Sequence, residues 1–334
     1  MSDAPLRGPA GPAEGRPVPD GQVAVAVRRA GDGPLWRPLD RLGLGLAWFA
    51  GLLFCVICGA IVLFVIVQGL RYLHPSMLWT NPRAGYTQNE TGGILAELIG
   101  TFLVAAVAMA IATPVGVGVA VWLSEYARPA FLARVVESTV EMLAGAPSIV
   151  LALFGLVLFE SRALAFLSTT NDGIVYGKSF IGAGAMLALL GLPLVVANTR
   201  EGLQAIPNHV REASYAVGKT KIATIRRVLL PATRPSIITG SMLGAGHVIG
   251  DTTIIVFVLG DTGTLHPVGG IPLLGLLRGT GSTLTSFVYD NAPTGDLNQP
   301  QKAYAAAFVL LLLVLMVNLV VDVYGRRTRE LRWN

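Results

Sequence analysis

Two stretches of this chain carry residue types at spacings that suit chemistry. The first is Arg211 to Pro231, REASYAVGKTKIATIRRVLLP, where five basic residues and one acid fall within a chain otherwise poor in charge. Its Gly218-Lys219-Thr220 has the ending of the phosphate-cradling loop G-x-x-x-x-G-K-[ST]. The leading glycine of that loop would fall at Ala213, and the preceding IPNHVREASYAV has a helical pattern rather than a strand pattern. Without a flexible turn and converging backbone amides nothing holds a phosphate, so Gly218-Lys219-Thr220 is read as coincidence and not as a nucleotide site. The second stretch is His247-Val248-Ile249-Gly250-Asp251-Thr252, inside an apolar run. On a continuous helix His247 and Asp251 stand at i and i+4 and could pair across a turn. Ionisable groups inside a membrane segment cost several kcal/mol, about 3 on insertion scales, and are candidate functional residues by default. A structural alternative stays open, in which His247 and Asp251 satisfy each other or the neighbouring backbone.

Other chemistry falls away. Cys55 and Cys58 share one face of an apolar run with no histidine or carboxylate near them, so they read as small packing residues and not as a metal or redox pair. PVGVGVAV at 114–121 lacks the third glycine of a dinucleotide site. No catalytic cluster and no metal-ligand set is legible, so the chain is expected to be non-catalytic and to hold no cofactor or metal of its own.

The elements that position these stretches follow from the composition. Of 334 residues, 53% are hydrophobic and only 13% charged, against roughly a quarter charged in soluble domains; the mean hydropathy is +0.61. Charge-free windows run over Leu42–Leu70, Leu98–Ser124, Met142–Phe159, Ser179–Thr199 and Ala303–Val321, and Pro235–Gly260 is interrupted only by His247 and Asp251. About 20 residues cross the hydrocarbon core as a helix, so the expectation is an all-α integral membrane protein with six transmembrane helices. With six crossings, 19 of the 25 Lys and Arg lie on one side. The positive-inside rule makes that side cytoplasmic, with both termini on it, and the basic excess reads as topology rather than nucleic-acid binding. Residues 1–38 form a Pro/Gly/Ala-rich tail too polar to fold alone; no cleavable leader is read before Leu42. The transmembrane part is expected over 39–334, with a basic cytoplasmic loop at 200–234 and a long external connection at 261–302 holding a short helix near 271–277.

Within the basic loop, Asn208 is expected to cap a helix whose Val210, Ala213, Ser214 and Val217 make one small-to-apolar face, with Arg211, Glu212 and Tyr215 off it. Gly218 suits a left-handed turn, Thr220 caps a second helix, and Pro231 ends it. The amphipathic pair suits a groove on a partner protein, although a basic amphipathic segment can also rest on anionic lipid.

The loop resembles that of the permeases of ATP-binding-cassette importers, whose pattern is Glu-Ala-Ala, a glycine four residues after the third position, and an aliphatic-x-Leu-Pro ending. Here the residues are Glu212-Ala213-Ser214, Gly218, Val228, Leu230 and Pro231, with Ser214 and Val228 as small departures. The resemblance implies a type I importer permease fold in which these seven residues dock into an ATPase subunit that binds ATP-Mg. Over 92–325 the chain is similar to the PstA family of phosphate importer permeases. The likeness is carried by GGILAELIGTFLVAAVAMAIATPVGVGVAVWLSEYA, by LAGAPSIVLALFG and by LALLGLPLVVANTREGLQAIPNHVREASYAVG. It implies a sister permease (PstC-like), an ATPase (PstB-like) and an extracellular phosphate-binding protein (PstS-like) as partners, and a cell-membrane location. It also implies that His247, Asp251 and Thr252 line the substrate path or its gate. The family commonly has Arg-x-x-Gly-Glu-Thr at that point. An arginine is always charged and grips an oxyanion with two donors, which a histidine does not do, so direct phosphate coordination there is not expected. The alternatives are a permease for another solute or oxyanion, a stand-alone transporter or channel, and a membrane anchor with no pathway, which would leave the docking pattern unexplained.

Overall fold

The computed structural model describes residues 36–80, 92–167, 170–171, 174–175, 178–260, 272–295 and 299–330. Apart from a two-residue hairpin, Thr170–Asn171 with Ile174–Val175, these residues form helices and their connections. The contacts divide the chain into two units, Met1–Leu63 and Phe64–Asn334. The described part of the first unit is helix, the beginning of α1 (Trp36–Tyr72). Its side chains from Asp40 to Leu63 are all exposed, Trp48 and Phe54 among them. A helix apolar all round and uncovered is suited to lipid. Residues 1–35, most of the expected tail, lie outside the described part.

The second unit is built on α2 (Leu95–Val121), α5 (Phe180–Gln204), α8 (Leu230–Gly250) and α11 (Pro300–Glu330). Between α2 and α5 lie α3 (Ala130–Gly145) and α4 (Ser148–Glu160). Van der Waals packing holds helices together in lipid, and small residues let backbones approach. A Cβ on Gly116 would lie 2.8 Å from Val195, and one on Gly184 would lie 2.4 Å from Val107, so α2 and α5 meet through glycines. Thr113 of α2 donates to Ser241 of α8 at 3.1 Å, a polar tie within the bundle. The core runs through Val104, Ala108, Leu187, Val248, Ile255 and Ala305.

Among the described residues four helices are long and apolar enough to cross a membrane, or five if the bent pair α3–α4 is one span. Two of the six expected spans are corrected. Met142–Phe159 is not one helix: α3 and α4 meet at 104°. Pro147 disfavours helical backbone at the residue before it, and Ala146 is accordingly extended with ψ 132°. At 1.5 Å per residue α4 is about 20 Å long, too short to span alone. Pro235–Gly260 is also two pieces. The first, α8, begins before Pro235 and ends at Gly250; Asp251 is extended, and a π-helical turn follows at Ile255–Leu259.

The connection expected to be external is more ordered, in its described part, than its composition suggests. The expected short helix is α9 (Pro272–Arg278), and a second, α10 (Leu284–Asn291), was not anticipated. Thr283 and Ser286 form a reciprocal capping box at the start of α10. The Leu284 N–H donates to Thr101 Oγ1 of α2 at 2.9 Å, and Leu284, Ser286 and Phe287 are buried. A Cβ on Gly100 would stand 2.1 Å from the Ser282 carbonyl oxygen, so only glycine admits this approach. Residues 261–271 lie outside the described part.

Candidate docking hairpin and broken helix

The basic loop folds into two short helices. The first, α6, covers Asn208–Ala216, and its cap position is Pro207, which makes no side-chain cap bond. The expected cap, Asn208, is the first helical residue instead, because the fixed φ of Pro207 (−61°) already sets the entry. Its Oδ1 accepts from Arg211 at 3.4 Å. At the other end Gly218 has φ +78°. The Lys219 N–H donates to the Ser214 carbonyl at 3.2 Å and the Gly218 N–H to the Tyr215 carbonyl at 2.9 Å. These are the two bonds of a Schellman cap, which needs a left-handed residue at this position. Thr220 Oγ1 then accepts from the Ala223 N–H at 3.3 Å, capping α7 (Lys221–Thr224) as expected.

Pro231 does not end the second helix. A π-helical turn, Ile225–Leu229, carries α7 directly into α8, where Pro231 is in the first turn. A proline there has no N–H to continue the ladder, and the wider turn before it relieves the clash of its ring with the preceding turn.

The inward face of α6 also differs from the expected set. Ser214 is buried and Val210 half-buried, but Ala213 and Val217 point outward. Arg211 faces inward. Its Nε donates to Glu125 Oε1 at 3.1 Å, and its two terminal nitrogens donate to the carbonyls of Ile206 (2.7 Å) and Leu203 (2.9 Å). Lys221 donates to the Glu125 carbonyl and stands 4.5 Å over the Tyr126 ring. Beside them Arg200 of α5 pairs with Glu137 of α3. Sequence reasoning set Arg211 off the packed face and passed over Glu125. A pair 86 residues apart leaves no local periodicity to read.

Of the residues expected to dock, Glu212, Ala213, Gly218 and Pro231 are exposed, Val228 and Leu230 are half-buried, and Ser214 is buried. Ser214 Oγ bonds Thr224 Oγ1 at 2.9 Å, joining the two helices of the hairpin. The serine that departs from the importer pattern thus has its own partner. Ser214→Ala leaves the buried Thr224 hydroxyl without this bond, at a cost of about 1–3 kcal/mol. Ser214→Ala with Thr224→Val removes both hydroxyls and is expected to recover most of that loss, read as thermal unfolding midpoints in detergent.

His247 is exposed near the end of α8, and Asp251 and Thr252 are half-buried at the break. The expected pairing does not form, because Asp251 leaves the helix before it can complete an i, i+4 contact. Its Oδ1 instead accepts from the Ile254 N–H at 2.8 Å, capping the second half of the broken helix. Backbone freed within a membrane must find such partners or line a cavity.

Known proteins share both fold and sequence with this chain. Residues 112–330 match the family "Binding-protein-dependent transport system inner membrane component". The Mycobacterium tuberculosis "Phosphate transport system permease protein PstA 1" is 32% identical over 256 residues, 76% of this chain and 77% of the relative. "Phosphate transport system permease protein PstC" of Xylella fastidiosa is 30% identical over 265 residues, 75% of each chain. A solved bacterial alginate ABC transporter with a periplasmic protein aligns at TM-score 0.59 and 15% identity, over 88% of this chain and 98% of the other. The MetNI methionine ABC transporter aligns at TM-score 0.51 and 20% identity, over 77% and 99%. At these identities the solved structures establish the fold alone.

Proposed function

Since this chain belongs to the binding-protein-dependent transport system inner membrane component family, we propose that it is a permease subunit of an ATP-driven phosphate importer. It forms half of the translocation path beside a sister permease in the bacterial cell membrane. The observation that carries the coupling role is the hairpin α6–α7, held between α5 and α8 with Glu212, Ala213 and Gly218 outward. In this reading the hairpin docks into a separate ATPase, which binds ATP-Mg; Ser214 and Val228 shape it from within and Leu230 and Pro231 fix its exit. This chain performs no catalysis of its own. Dimerisation of the ATPases moves the hairpin, and α5 and α8 with it, as rigid bodies.

The six crossings are α1, α2, the bent pair α3–α4, α5, α8 and α11. The side bearing 19 of the 25 basic residues is cytoplasmic, with residues 1–38 as a cytoplasmic tail and 39–334 as the permease. His247, Asp251 and Thr252 lie along the path or its gate, where the exposed face of α8 meets the sister permease. Phosphate is the substrate that the names of the sequence relatives support, delivered by an extracellular phosphate-binding protein. A stand-alone transporter would share the broken helix, but it has no use for a docking hairpin.

Uptake of radiolabelled phosphate by cells lacking this chain, and by cells with it restored, checks the substrate. Restoration is expected to return uptake that excess unlabelled phosphate abolishes and excess sulfate or molybdate leaves intact. Uptake unchanged by loss of the chain rejects the assignment, and competition by sulfate or molybdate instead makes the substrate another oxyanion.

A further inference from the structure

The docking hairpin does not hang from α5 and α8 alone. A π-helical turn, Trp122–Tyr126, extends the end of α2, and Glu125 in that turn meets Arg211. The pair is well shielded, with side chains 17% (Arg211) and 7% (Glu125) exposed. Around it Leu203, Ile206, Ile225 and Leu229 form an apolar cluster against which Val121, Val210 and Leu230 pack. One guanidinium therefore joins three elements: α6, which carries it; the end of α5 and the turn after it, through the Leu203 and Ile206 carbonyls; and the end of α2, through Glu125. Lys221, from the other helix of the hairpin, makes a second tie to α2 through the Glu125 carbonyl and the Tyr126 ring.

A shielded ion pair gains little net stability over apolar packing, and its best-attested value is in fixing register. Here the register is that of the hairpin against α2, a helix 86 residues away in sequence from Arg211 at the contact. π-Helical turns recur at functional sites, and two of them, Trp122–Tyr126 and Ile225–Leu229, flank this pair.

We infer that Glu125, gripped by Arg211 and Lys221, is a positioning residue that makes α2 a third driven helix of the transport stroke. This inference rests on the docking function proposed above. Movement of the hairpin, whatever its size, is then delivered to α5 and α8 through the chain and to α2 through these side chains. Glu125→Gln with Lys221→Ala weakens the ties to α2 and leaves the Arg211 bonds to α5 in place.

The test uses the full complex, with ATPase and sister permease, reconstituted into vesicles with the binding protein. Three quantities are read: ATPase retained on purification, ATP hydrolysed, and radiolabelled phosphate taken up per ATP. For Glu125→Gln/Lys221→Ala, retention and hydrolysis are expected within about twofold of the parent and uptake per ATP about tenfold lower. Glu125→Asp, which keeps the charge, is expected to recover part of that ratio. A purely structural role would lower retention and hydrolysis together and leave uptake per ATP unmoved. An unchanged ratio, or loss of the ATPase from the double variant, overturns the relay. Failure of the parent complex to retain the ATPase or take up phosphate would instead reject the functional reading itself.

Discussion

Gly218→Trp combined with Glu212→Arg is expected to release the ATPase from the purified complex and abolish uptake, while Gly218→Ala leaves both largely in place. The comparison separates two effects of filling the same position. Gly218 has φ +78°, and any L-residue in that conformation costs about 1–2 kcal/mol. Alanine and tryptophan share that cost. What differs is reach, because a Cβ at Gly218 meets nothing within 4 Å. A large side chain there starts into open space, and its bulk lies on the face expected to receive the partner. Reversing the charge at exposed Glu212 adds an electrostatic mismatch on the same face. Losing the centre of an interface costs ~2–4 kcal/mol, about 30- to 1000-fold in affinity. Both variants should keep the fold, because the Schellman bonds use backbone atoms only. An ATPase that still co-purifies with the double variant, with uptake intact, would show that this face is not where it binds.

The largest effect on stability is expected at the crossing of α5 and α8, the two helices that flank the hairpin. A Cβ at Gly240 would lie 2.8 Å from Asn198 Cβ, 3.1 Å from the Leu194 carbonyl oxygen and 3.2 Å from Val195 Cα. Two of these three neighbours are backbone, and the third is the first atom of a side chain, so none can swing away. The carbonyl is also engaged, since Asn198 Nδ2 donates to Leu194 O at 2.9 Å. Gly202 extends the contact toward the hairpin, where a Cβ would be 2.4 Å from Ser236 Oγ. Gly240→Ala must shift one helix by some tenths of an ångström, and overpacking of this kind costs about 1–3 kcal/mol. Gly240→Leu forces the helices apart and is expected to yield little folded complex by size-exclusion chromatography in detergent. Gly59→Leu is the matched control: Gly59 lies on exposed α1 with nothing within 4 Å of its Cβ. A Gly240→Leu complex that elutes and melts like the parent would mean that α5 and α8 are not tightly joined. The rigid-body transfer of motion from hairpin to helices would then lose its basis.

The class of protein and the hairpin were legible in the residues themselves. Long charge-free runs require helices wherever water is absent, because each backbone group must find its partner within its own segment. Gly218 and Thr220 also announced their conformations locally, one by lacking a Cβ and the other by offering a hydroxyl one residue before a helix. These signals act over a few residues, so sequence alone determined them. The span boundaries were less legible. Hydropathy sums over Pro147 and Asp251 without registering that one forbids helix behind it and the other draws its own backbone out of the helix. The burial of α10 was also hidden, because a Thr- and Ser-rich segment has the composition of an outer loop until Gly100 and Thr101 are seen to admit and bond it.

What only the tertiary structure decided is which charges face inward. Periodicity on α6 left Arg211 off the apolar face, since helical spacing ranks residues by polarity and knows nothing of an acid in another helix. Glu125 and the carbonyls of Leu203 and Ile206 reverse that ranking, because together they give the guanidinium a charge-assisted acceptor for each of its three nitrogens. The conformation of the hairpin was therefore written locally in its own residues. Its attachment to α2 depends on a contact across 86 residues, which exists only after the helices have packed.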